Sequence, residues 1–181
     1  MPKKYPDYPY REPLPAGHSD PQITAIVEDL MTQNPWAQVL DGGPLDALCR
    51  ALTIDLEYSG FPNEVLMDVP RYDRPVIWLD RNSKTRYDRF TAAVALGHWV
   101  MHVLPLREPK PDYGIQALYA PSEALARREA EKFAFDLLLP AKGFQELWHR
   151  GRAQLVSDRF NLPTKLVYDR AKMLMLEDEA G

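Results

Sequence analysis

The stretch RFTAAVALGHWVMH, residues 89–102, decides the fold of this chain. Phe90, Ala93, Val94, Gly97, Val100, Met101 and Leu104 recur at helical spacing, so Thr85 to Leu104 is predicted to be one amphipathic helix with that face toward a core. His98 and His102 are four residues apart and share a face. Gly97 inside a helix costs about 1 kcal/mol relative to Ala.

Downstream lies a second helix, EAEKFAFDLLLP, residues 129–140. The helix is predicted to open at Pro121 or Ser122, to pack Leu125, Ala126, Phe133, Ala134, Leu137 and Leu138 inward, and to end at Pro140. Upstream, Asp20 and Pro21 suit the N-cap and first turn of a helix carrying Ile23, Ile26, Val27, Leu30 and Met31 on one stripe. Asn34-Pro35 stops it, Gly42-Gly43-Pro44 is a turn, and residues 45–52 (LDALCRAL) form a short helix. Three strands follow: TIDLEY (53–58), EVLMDV (64–69) and PVIWLD (75–80). Residues 105–120 read as a polar, Pro-rich loop.

Together the two helices resemble the core of the ImmA/IrrE family of zinc metallopeptidases. There the first helix usually reads RFTxAHELGHxxxH and the second ExEANxFAxxLLMP. This chain keeps Arg89-Phe90-Thr91, Leu96-Gly97-His98 and His102. Pro44-Leu45-Asp46, Leu48, Leu52 to Leu56 and Val76 to Leu79 follow the family's opening helix and strands, so the likeness runs from about Pro44 to Pro140. The resemblance implies an α+β fold: a zincin-like metallopeptidase scaffold, its small β-sheet packed on helices, with a C-terminal helix-turn-helix-like pair.

The departures from the family pattern are chemical. HExxH places two imidazoles on one helical face to grip zinc, and its Glu takes the proton of the metal-bound water. Here Val94 stands for the first His and Ala95 for the Glu. A third ligand normally comes from an acidic residue of the second helix, and that register falls on Arg127, a permanent cation. The resemblance therefore implies a scaffold without its reaction centre, no catalytic residue and no expected cofactor. The open alternative is a shifted zinc site using His98 and His102 with Glu129 or Glu131. Against it, His102 can cap a helix C-terminus and His98 can be a partly buried remnant.

Other catalytic schemes find no support. Cys49 lies on a core-patterned helix, Ser59, Ser83, Ser122 and Ser157 sit in no recognisable nucleophile motif, and no phosphate-binding glycine loop is present.

Composition sets the frame. The chain has 181 residues, 45% hydrophobic and 27% charged, which suits one globular core. It contains no 18-residue apolar run and a single cysteine, so a cytoplasmic setting is expected. A net charge of −4 argues against general nucleic-acid coating. Three parts are expected: a Pro-rich flexible arm (1–20), the zincin-like domain (21–140), and a helical appendage with an acidic tail (141–181). His18, in the arm, carries little weight.

The appendage reads as helix, turn at Asn161-Leu162, helix, and resembles the family's "LAxxFxVSxxxVxxRL" tail. It is locally basic, and Arg159, Lys165, Arg170 and Lys172 are its candidate DNA contacts; packing on the core is the competing reading. Active relatives cleave repressors or other regulators of mobile elements or stress loci in bacteria and phages. The resemblance then implies a regulatory protein as partner. The expected groove runs along PVIWLD as an edge strand and uses Trp78, His98 and Trp99.

Overall fold

A computed structural model describes residues 11–37, 39, 42–59, 65–81 and 85–176. Residues 1–10 of the arm, Glu64 of the second expected strand and the acidic tail from 177 onward lie outside the described residues.

Helix α1 spans Asp20–Gln33 and buries Ile23, Val27 and Leu30. Its N-cap is Ser19, one residue earlier than expected, and the Ser19 N–H donates to Gln22 Oε1 at 2.8 Å. Helix α2 is Asp46–Ala51. Strands β1 (Asp55–Ser59), β2 (Val65–Val69) and β3 (Val76–Asp80) follow as the alternation predicts. A fourth strand, β4 (Ile115–Leu118), emerges from the segment read as a loop. With only four residues and no polar alternation, IQAL carries no strand signal of its own; pairing with β2 creates it.

The sheet order is β1-β3-β2-β4. β1 and β3 are parallel, while β2 is antiparallel to both β3 and β4. This corrects the expectation that PVIWLD is an edge strand. Paired on both sides, β3 is interior, and among the described residues the edges are β1 and β4.

Helix α3 (Thr85–Gly97) passes into a π-helical turn, His98–Val103, and then into the short helix α4, Leu104–Arg107. The wide turn replaces the regular helix end expected near His102. Helix α5 (Ala124–Leu138) opens with Glu123, whose carboxylate accepts the Leu125 N–H at 3.0 Å. α3 and α5 pack through Gly97. A Cβ at that position would lie 3.0 Å from the Ala130 carbonyl oxygen and 3.1 Å from Phe133 Cβ, so a larger residue would have to push α5 back by a few tenths of an ångström.

Helix α6 (Ala141–Phe160) breaks at Arg152, and Asn161 in the left-handed region leads to α7 (Thr164–Met173). Phe144, Val156, Phe160, Leu162 and Val167 belong to the same buried cluster as the sheet and α3. Arg89 explains its own presence beside Phe90. Its guanidinium is buried against the end of α6, donating to the carbonyls of Phe160 and Asn161, and that burial lowers its pKa to about 10. Among the described residues, no helix is long and apolar enough to cross a membrane.

Candidate functional site

Val94 and Ala95 lie on the buried face of α3, and both are 0% exposed. Each fills core volume, and neither offers a lone pair or a proton. One turn on, His98 and His102 are 1% and 2% exposed and face one another, with Nδ1 to Nδ1 at 2.9 Å. His102 Nε2 then meets Glu129 Oε2 on α5 at 2.8 Å. Both histidines and Glu129 are therefore brought together, as their spacing on two adjacent helices allows.

Glu129 also anchors a segment that no sequence pattern places here. The backbone N–H groups of Ala16 and Gly17 donate to its two oxygens at 2.8 Å each, and that of His18 at 3.0 Å. Gly17 has φ +76°, which turns three successive amides toward one carboxylate. Burial alone would raise the Glu129 pKa, but the Ala16 amide, His102 and the Gly17 amide outweigh it and hold the group below the usual carboxylate range.

An ionised Glu129 fixes the protons of the pair. It accepts the Nε2–H of His102, so His102 Nδ1 is bare and accepts the Nδ1–H of His98. His98 Nε2 is then a buried acceptor with no partner among the described residues. Burial first, then His102 and Arg127, holds the His98 pKa well below its ordinary value. Burial also lowers His102, against the opposing pull of Glu129.

These directions set a pH dependence. Both native pKa values lie below the ordinary 6.5, so below that pH the unfolded chain binds protons that the native chain refuses. Stability from this source is complete above about pH 7 and is lost progressively as pH drops through 6.5. Urea unfolding at pH 7.5 and 5.5 checks this: a lower unfolding free energy is expected at pH 5.5, and a flat profile refutes it. Glu129 adds a separate loss only below its ordinary 4.5.

The remaining candidates are dispersed. Glu131 pairs with Arg127 Nε at 2.7 Å and makes no recorded bond to either histidine. Arg127 Nη1 is buried and unpartnered among the described residues. Trp99 lines a shallow pocket with Leu52, Thr53, Tyr72 and Pro75, and neither Trp78 nor His98 lines it. Trp78 stands half-buried on interior β3, and its carbonyl accepts the Tyr119 O–H at 2.6 Å. Cys49 is buried, which pushes its thiol up to about 12 and leaves it inert.

Of the DNA candidates, Arg170 is contradicted outright. It is 2% exposed, its Nη2 lies 2.8 Å from Asp136 Oδ1, and its Nε donates to the Leu139 carbonyl at 3.0 Å. A side chain locked to α5 from beneath cannot reach a groove of DNA. Lys165 pairs with Asp169 at 2.9 Å, and Arg159 and Lys172 are exposed.

The family model for M78 peptidases, the IrrE N-terminal-like domain, matches residues 49–172. The chain belongs to the ImmA/IrrE family. The match spans both the zincin-like part and the C-terminal helix pair, in keeping with their shared core. A search of curated proteins returned no match. Membership raises the question of the zinc ion that family peptidases use, and the donors here do not fit one. Catalytic zinc needs three protein ligands facing one open position. His98 and His102 instead bond to each other, and Glu129 is committed to His102 and three amides. Among the described residues, no three His, Cys, Asp or Glu side chains are arranged to hold a metal ion.

Proposed function

We propose that this ImmA/IrrE-family chain is a non-catalytic regulator that acts by binding another protein. One observation carries the reading. Where family peptidases have a zinc ligand and a general base, this chain has Val94 and Ala95, and both are fully buried core residues. No water can be activated at a position that holds only methyl groups. The surrounding frame is kept: Gly97 still seats α5 on α3, and Arg89 still closes the end of α6. A frame maintained without its chemistry suits recognition of a target that active relatives would cut. On the same reading the partner is a regulatory protein of a transcription, mobile-element or stress and defence locus.

Metal analysis tests this directly. The purified chain is expected to hold far less than one zinc ion per molecule, to keep its melting temperature in chelator, and to leave protein substrates uncut. One tightly held zinc per chain, lost in His98→Ala, would overturn the proposal and establish a metal site on the two histidines.

A further inference from the structure

Residues 11–18 lie on the body of the protein along a defined path. At one end, the Arg11 carbonyl accepts the Gln116 N–H at 2.9 Å, on the side of β4 that has no strand beside it among the described residues. The segment thus adds one sheet-like bond to an edge strand. Next, the Glu12 carboxylate accepts the Ser122 N–H at 3.1 Å and the Ser122 hydroxyl. Pro13 is buried. At the far end, the turn at Gly17 aims three amides at Glu129. Such a composition, with Pro13, Pro15 and Gly17, has little tendency to fold by itself, so these contacts are what order it.

We infer that residues 11–18 are a peptide ligand carried by the chain itself: they fill, in cis, a groove between β4 and α5 that accepts an extended segment. The chemistry of that segment is defined by its partners. It offers a backbone carbonyl to the Gln116 amide, a carboxylate to Ser122 and, four to six residues later, a glycine turn whose amides meet Glu129. Any partner bringing an acidic, extended segment of this kind competes with the arm and binds only as the arm leaves. The inference rests on the reading of this chain as a binding protein and names what its groove holds.

The groove is tied to the arm by independent contacts at its two ends, so release can be produced at either one. Gly17→Val places a β-branched residue at positive φ where the added Cβ meets nothing within 4 Å, so it strains the turn without disturbing the core. Glu12→Ala removes the Ser122 contact and leaves the turn alone. Amide exchange in the full chain is read at Ala16, Gly17, His18 and Gln116. In the wild type these amides are expected to exchange about 100-fold more slowly than in a free peptide, and in Gly17→Val the protection of residues 16–18 falls to about the free-peptide level. A dye-labelled peptide of residues 9–19 is then expected to bind the Gly17→Val or Glu12→Ala chain at least about 10-fold more tightly than the wild type, because the tethered arm competes at high effective concentration.

Equal peptide binding by wild type and both variants overturns the proposal. So does a failure of the peptide to bind Gly17→Val once its arm amides exchange freely while those of Phe133 to Leu138 stay protected. Wild-type arm amides that exchange at free-peptide rates overturn it at the first step. Zinc content and peptidase assays on the same samples report on the absence of catalysis, so the two readings fail separately.

Discussion

The double change Val94→His, Ala95→Glu is expected to lower stability by at least about 3 kcal/mol and to bring no tight zinc binding. Both positions are 0% exposed, so the larger side chains must displace packed neighbours, at about 1–3 kcal/mol. Each new polar group left without a partner adds about 1–3 kcal/mol. Restoring HExxH on α3 does not supply a third ligand, since Glu129 is held by His102 and the arm, and Arg127 presents a cation. Changing Arg127→Glu as well removes that charge and offers a carboxylate. Zinc should then raise the unfolding midpoint of the triple variant and not of the double one. Urea unfolding with and without zinc decides it, and rescue of the double variant by zinc would show that Arg127 is no obstacle.

Asp136→Ala is expected to cost about 3–5 kcal/mol, among the largest single effects in the molecule. Asp136 receives Arg170 at 2.8 Å, the Thr24 hydroxyl at 2.8 Å and the Lys132 ammonium, which joins α1, α5 and α7 at one carboxylate. Removing it strands the Arg170 guanidinium at 2% exposure. The paired change Asp136→Leu, Arg170→Met removes both charges and is expected to recover most of the loss. A loss below about 1 kcal/mol for the single variant in urea unfolding would mean that water reaches Arg170 and the network is weak.

The sequence made most of the elements readable, because α1, α3 and α5 each place an apolar stripe at helical spacing and β1 and β3 alternate. Sheet order was not readable, since local pattern says which residues face a core and nothing about which strand lies beside which. PVIWLD therefore looked equally fit for an edge or the middle. The π turn left no trace either, as His98–Val103 has the composition of an ordinary helix end. In the site, spacing placed His98 and His102 on one face, and Glu129 was among the acids considered. What it could not supply was the arm, whose amides are backbone groups common to every residue and whose carboxylate lies 113 positions from Ala16. Arg170 misled for a related reason: a lysine or arginine reads as a surface charge until its buried partner is known.

That separation has a consequence for how the molecule is made. Ribosomes add about 5–20 residues per second, so the arm exists for several seconds before Glu129 has been synthesised. It can dock only after β4 and α5, which carry its contact points, have come together. Any rival for the groove then meets a competitor already tethered to the same chain when the groove first forms. A newcomer therefore faces the tethered arm from the outset, and must outcompete it or wait for it to open.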